Sequence, residues 1–141
     1  LPRYSPHKAI YRIIDANINR AKEGLRVCEE VARFSLGNRS FTAGLKKLRH
    51  ALDVAIKQLP AGYSDLLSHR NIRLDVGSRL SAQELERKDV RNIFYANMQR
   101  VKESMRVLEE FSKLLNRTSC LKFKKIRYDV YQIEKRISRR L

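Results

Sequence analysis

The sequence predicts an all-α fold: an antiparallel helical bundle of two pseudo-two-fold-related helical hairpins joined by an irregular insert. Three observations predict it. The 141 residues include only five Gly and three Pro, and 33% are charged, a composition that favours long helices over strands. Apolar residues recur at alternating spacings of four and three, as in Ile14, Ile18, Ala21, Leu25, Cys28 and Ala32, which puts them on one face of a helix. Finally, the segment from Ala16 to Glu30 returns as Ala96 to Glu110, with nine of fifteen residues unchanged. Packing alone would keep the apolar positions and let the polar ones drift. Here the polar ones match best, so the repeat reads as a site element used twice.

Each element follows from local chemistry. Ser5-Pro6 is a cap followed by Pro at the first helical position, and opens a first helix expected to reach about Leu36 and stop at Gly37-Asn38. Ser40 is expected to cap a second helix from Phe41 to Leu59, ended by Pro60-Ala61-Gly62. Ser64 to His69 fits a short turn of helix. The stretch from Asn71 to Leu80 is the least regular, and Ser81 with Glu84 fits a capping box. Asp89 caps a third long helix to about Leu115, and a fourth begins near Thr118 and runs to the C-terminus. Lys46-Lys47-Leu48-Arg49-His50 is echoed by Lys124-Lys125-Ile126-Arg127-Tyr128. Residues 1–141 thus read as one domain, with repeat 1 at about 5–59, an insert at 60–88 and repeat 2 at about 89–141, assembled as a four-helix bundle.

Composition narrows the function. A net charge of +16 draws anions: phosphorylated small molecules, nucleic acid or acidic membrane. No apolar run approaches membrane-spanning length and no signal peptide is visible, so a soluble, cytoplasmic protein is expected. Cys28 and Cys120 have no metal-ligand spacing and read as two buried thiols. The basic tail from Lys135 to Arg140 reads as a helix end whose cations suit the helix dipole. There is no phosphate-binding glycine loop, dinucleotide fingerprint or zinc signature. Long basic helices can grip RNA phosphates, yet the six Tyr and five Phe show no stacking arrangement.

The candidate site residues lie on the repeat and the insert. Asn17 falls within the apolar stripe, where its amide must find hydrogen-bond partners. Gly24 lies beside it, and a mid-helix Gly costs about 1 kcal/mol against Ala, so a close packing or ligand contact is expected there; Ser104 keeps the position small. Arg20, at the stripe's edge, can reach inward to phosphate or carboxylate, with Glu23 next to it. Lys22, Arg26, Glu29 and Arg33 fall on the most polar arc, which surface charge pairing explains, including Glu29 with Arg33. The face of Asn17, Arg20 and Glu23 therefore ranks above Arg26 and Glu29. A structural Asn–Arg–Glu network between hairpins would account for the same residues. Arg70, Asp75 and Gly77 form a second group, on an insert able to close over the bundle. His50 reads as a core-edge residue rather than a base.

The run Asp15-Ala16-Asn17-Ile18-Asn19-Arg20-Ala21-Lys22-Glu23-Gly24-Leu25-Arg26-Val27-Cys28-Glu29-Glu30 resembles the opening helix of a small bacterial domain. That domain is the helical hydroxymethylpyrimidine phosphate kinase domain, found alone or fused N-terminal to thiamine-phosphate synthase. Leu48-Arg49-His50, Arg70 with Asp75-Val76-Gly77, the second copy from Ala96 to Phe111, and Arg127-Tyr128 with Tyr131 and Glu134-Lys135 are similar to its later motifs, in the same order. The resemblance implies thiamine biosynthesis by ATP- and Mg²⁺-dependent phosphorylation of hydroxymethylpyrimidine phosphate to the pyrophosphate ester. Phosphoryl transfer is mostly positioning and charge neutralisation. On this reading Arg20 and Arg100 clamp phosphates, and Asn17 and Asn97 read the pyrimidine or ribose. Glu23, Glu103 and Asp75 position the accepting phosphate or hold Mg²⁺, the metal falling to Asp75 and Glu103. Arg70 and Gly77 belong to the closing insert, with Arg26 and Arg106 as further substrate contacts. Three alternatives remain: a non-catalytic module that docks on or dimerises thiamine-phosphate synthase, as a homodimer or otherwise; a basic RNA-binding protein; and a metal-free isomerase of the chorismate mutase kind.

Overall fold

The computed structural model describes residues 6–79 and 85–141, and these form an all-α fold with no strand among them. Helix α1 spans Pro6–Glu30, α2 Arg39–Lys57, α3 Tyr63–Ser68, α4 Val90–Ser112 and α5 Arg117–Ser138. The expected Ser5 cap and the Ser81–Glu84 capping box lie outside the described residues.

Caps decide where the helices begin. Asp89 accepts a hydrogen bond from Asn92 N at 2.7 Å and opens α4, as its side chain predicts. Asn116 does the same for α5 through Ser119 N, and Asn38 for α2 through Phe41 N at 2.9 Å. Ser40 is therefore not the cap of α2: the amide two residues earlier takes that place, and α2 starts at Arg39. The first helix also ends differently from expectation. It remains α-helical only to Glu30, then widens into a π turn over Val31–Ser35, with Leu36 N donating to Val31 O at 3.0 Å. Gly37, at φ +57°, supplies the left-handed residue that turns the chain toward α2.

The four long helices close a ring in which α1 packs on α2 and α4, and α5 packs on α4 and α2. Cys28 Sγ donates to Phe94 O at 3.6 Å, while Gly24 meets Asn97 and Val101. Position falls on one helix as it rises on the other, so α1 and α4 run antiparallel. The same holds for α2 and α5: Asn116 Nδ2 donates to Gln58 O at one end, and Arg136 lies over the Phe41 ring toward the other. The 3–4 apolar stripe drives this closure. Ile14, Ala21, Leu25, Leu45, Leu52, Phe94, Met98, Val101, Met105, Leu108, Phe123, Val130 and Ile137 are wholly buried in one core.

Ion pairs stitch each hairpin, some of them from residues that correspond in the sequence repeat. Lys22 binds Asp53 at 2.8 Å between α1 and α2, and Lys102 binds Glu134 at 2.9 Å between α4 and α5. Glu29 takes the Arg49 guanidinium at 3.1 Å, and Glu109 takes Arg127 at 2.9 Å. Glu29 and Glu109 are buried rather than on a solvated arc, because α2 and α5 pass directly over them. Glu29 pairs with Arg26 and Arg49, and Arg33 instead stacks over Phe34. His50 is exposed, not at the core edge. Cys28 and Cys120 are free and buried, as expected.

Candidate functional site

The hairpin ion pairs divide the repeated polar residues into two sets. Lys22, Arg26, Glu29 and Glu30, with Lys102, Arg106, Glu109 and Glu110, are held in ion pairs along each hairpin. Arg26 and Arg106 each reach a buried carboxylate three residues on, so their first role is to hold it. Asn17, Arg20 and Glu23 take no part in that stitching, nor do Asn97, Arg100 and Glu103. Among the described residues, Arg20, Arg100, Glu23 and Glu103 form no ion pair, although Glu103 accepts from Gln99 Nε2 at 3.0 Å.

Asn17 Nδ2 donates to Ile13 O at 2.8 Å, and Asn97 Nδ2 to Ile93 O at 2.9 Å. Each amide nitrogen, that of buried Asn17 and half-buried Asn97, thus bonds within its own helix, and no Asn–Arg–Glu network joins the hairpins among the described residues. The bond commits the donor end only; among the described residues no protein group donates to Asn17 Oδ1. Gly24 has a packing reason. A Cβ there would fall 2.7 Å from Val101 Cγ2 and 3.0 Å from Asn97 O, so the missing side chain lets α4 approach α1.

The insert fastens onto the outer side of α1. Arg70 forks onto Asp15, with Nε to Oδ2 and Nη2 to Oδ1 both at 2.8 Å, a bidentate geometry that is strong and directional. That hydrogen bonding, foremost among the causes, raises the Arg70 pKa above its ordinary value. Arg12 Nη2 donates to Asn71 O at 3.0 Å, and His69 meets the Tyr11 ring edge-on at 5.3 Å. Between insert and helix lies a cleft of about 570 Å³, within the range of small-molecule sites. Asn17, Arg20, Glu23 and Arg12 line it from α1, and Arg70, Asn71, Ile72 and Asp75 from the insert.

Five of the expected site residues therefore share one cleft: Asn17, Arg20, Glu23, Arg70 and Asp75. Asn97, Arg100, Glu103, Arg26 and Arg106 do not line it. Gly77 acts behind it, donating its N–H to Asp75 Oδ1 at 2.9 Å and so fixing the carboxylate. Asp75 and Glu103, expected together as metal ligands, stand on different elements and are not brought together in this cleft. Among the described residues no three His, Cys, Asp or Glu side chains converge on a common point.

Asp15 is the site residue that sequence reasoning missed. Its signal was an asymmetry of the repeat: Tyr95 stands at the matching position of the second copy. An acid present only where the insert docks is the mark of a contact with the insert. The chemical result is a concave surface with a guanidinium at Arg20 outside the ion-pair network, an accepting amide oxygen at Asn17 and two carboxylates. Such a surface suits a phosphorylated ligand with polar ring groups.

Comparison with known proteins identifies the family to which the chain is related. Relatives include the thiamine-phosphate synthases of Synechocystis sp., 46% identical over 127 residues, and of Nostoc punctiforme, 41% identical over 128 residues. These alignments cover 89% and 90% of this chain and 35% of each relative. The synthase of Rhodopirellula baltica is 38% identical over 125 residues, 88% of this chain and 33% of its own. The chain therefore spans about a third of the length of the curated relatives it matches. No solved structure matches it significantly. Residues 12–136, from the second turn of α1 to the last turn of α5, match the ThiD2 family, and the chain belongs to that family.

Proposed function

We propose that the protein acts in thiamine biosynthesis as a kinase, moving the γ-phosphoryl group of ATP onto the phosphate of hydroxymethylpyrimidine phosphate. The observation that carries this reading is the cleft itself. It collects Asn17, Arg20 and Glu23, the first copy of the polar residues that the hairpin ion pairs leave unused, and sets them against Arg70 and Asp75 of the insert. Kinship with thiamine-phosphate synthases supports the pathway.

In this reaction an oxygen of the acceptor phosphate attacks the γ-phosphorus. The bond from that phosphorus to the β–γ bridging oxygen breaks, and its electron pair leaves on ADP. The product is the pyrophosphate ester. The protein's part is to place the two phosphates in line and to neutralise charge spread over the transferring group. Arg20 supplies the guanidinium for the phosphates. Asn17 Oδ1 accepts from an amino or hydroxyl group of the bound ring. Arg70, held by Asp15, fixes the insert over the cleft. Asn97, Arg100 and Glu103 carry the same residue types on α4 but do not line the cleft, so the transfer is assigned to the first copy of the repeat.

Mg²⁺ is ordinarily bound by one or two carboxylates together with substrate phosphates. Glu23 and Asp75 fit that donor set, since both line the cleft and neither is in an ion pair among the described residues. They are the residues that would hold the ion, whose charge would offset that of the phosphates.

The test is formation of the pyrophosphate ester from ATP, Mg²⁺ and hydroxymethylpyrimidine phosphate, read by chromatography. Arg20→Ala should lower turnover by about 100-fold with unchanged circular dichroism. Full turnover in that variant would remove Arg20 from the site. A second reading is favoured by the chain's matching only about a third of each synthase. It makes the domain a non-catalytic module that docks on or dimerises the synthase, and predicts no turnover and tolerance of Asn17→Ala.

A further inference from the structure

Across the ring from the α1–α4 seam, α2 and α5 leave an open groove of about 610 Å³ that the cleft chemistry does not use. Its floor is apolar. Leu48, Ile126 and Ile133 are nearly buried, whereas Val54 remains 51% exposed. A Cβ on Gly44 would lie 2.7 Å from Ile133 Cδ1, so the two helices approach closely beneath the groove. Lining residues recur every three or four positions, from Gly44 to Val54 on α2 and from Lys122 to Arg136 on α5. The groove therefore follows both helix axes for about 15–20 Å at the α-helical rise.

The rim is cationic. Lys47 and Lys122 form no ion pair among the described residues, and Arg136 lies over the Phe41 ring at 5.7 Å. The rim acid, Asp129, is answered by Lys125 at 2.9 Å. We propose that this groove docks an amphipathic helix of a partner protein, one whose apolar stripe is bordered by Asp and Glu. The length suits about three helical turns laid between two helices, the helix-in-groove mode of recognition. The charge selects the border: carboxylates would meet lysines on both sides of an apolar floor. A second copy of this chain would bring lysine against lysine, at +16 on each molecule. RNA would engage the lysines and leave the apolar floor wet. The proposal concerns a different face from the cleft and stands whether or not the cleft is a kinase site.

Three synthetic helical peptides of about 16 residues test it by fluorescence anisotropy against the intact protein. One carries a Leu stripe bordered by Glu, one is its composition-matched scramble, and one carries the same stripe bordered by Lys. The Glu-bordered peptide should bind about tenfold or more tighter than its scramble, and the Lys-bordered one undetectably. Val54→Asp, at an exposed position, and Lys122→Glu, at a half-buried one on the rim, should each weaken it about fivefold or more with unchanged circular dichroism. Arg33→Glu, away from the groove, should weaken it much less than either. Equal binding of the peptide and its scramble would reduce the effect to charge attraction and overturn the proposal. So would self-association of the protein that Val54→Asp abolishes, or binding of a single-stranded RNA that is lost in the Val54→Asp protein.

Discussion

Cys28 lies wholly buried against α4, its Sγ donating to Phe94 O. Burial first, and the charge of Glu134 second, push its pKa up from 9.0 to about 12. The thiolate is the reactive form, so Cys28 should resist Ellman's reagent at pH 8 in the folded protein and react once urea exposes it. The folded pKa is raised, so Cys28 favours the folded state fully below about pH 9, and that contribution is lost as pH rises toward about 12. Gly24, one turn earlier, gives a second expectation. Ala is the better helix former by about 1 kcal/mol, but its Cβ would press on Val101 and on the carbonyl of Asn97. Gly24→Ala should therefore destabilise the protein by about 1–2 kcal/mol in urea titration, since overpacking outweighs propensity. The sequence marked Gly24 as a close approach; what approached, a helix or a ligand, was not legible from one chain. Asp15 shows the same limit, because its partner Arg70 is 55 residues away.

At the level of elements, periodicity carried most of the information. Asp89 and the four-three stripes placed the helices, since both act within a few residues of sequence. The ends were less legible: Asn38 and Ser40 are both competent caps, and only the packing of α2 chose between them. Glu29 was misread for a tertiary reason. A helical wheel of α1 alone shows a polar arc, yet α2 lies over that arc and converts Glu29 into a buried ion-pair partner of Arg49. Removing one member of such a pair leaves a buried charge poorly answered. Arg49→Ala should cost about 3 kcal/mol by chemical denaturation. Replacing the exposed Lys125, paired with Asp129 on the surface, should cost well under about 1 kcal/mol.

Over the whole molecule, charge outweighs every other compositional feature. Thirty-one Lys and Arg face fifteen Asp and Glu, and several of those acids are already engaged in hairpin ion pairs. The remaining cations repel one another in the compact state. Raising NaCl from about 20 to about 300 mM shortens the screening length to a few ångströms, and the melting temperature should rise by several degrees. A fall would mean that the ion pairs outweigh the repulsion. Charge alone indicated anionic ligands but not where they bind. The repeat narrowed the search to two sets of residues, and only the fold separated the set that stitches hairpins from the set that faces the cleft. The π turn at Val31–Ser35 bears on how such a bundle tolerates change in length. A π turn is an α-helix carrying one residue too many, absorbed here before Gly37 and the Asn38 cap. The hairpin thus holds a spare residue at its bend, where a one-residue deletion can be taken up without rotating α2 away from the face that Arg49 and Leu52 present to α1.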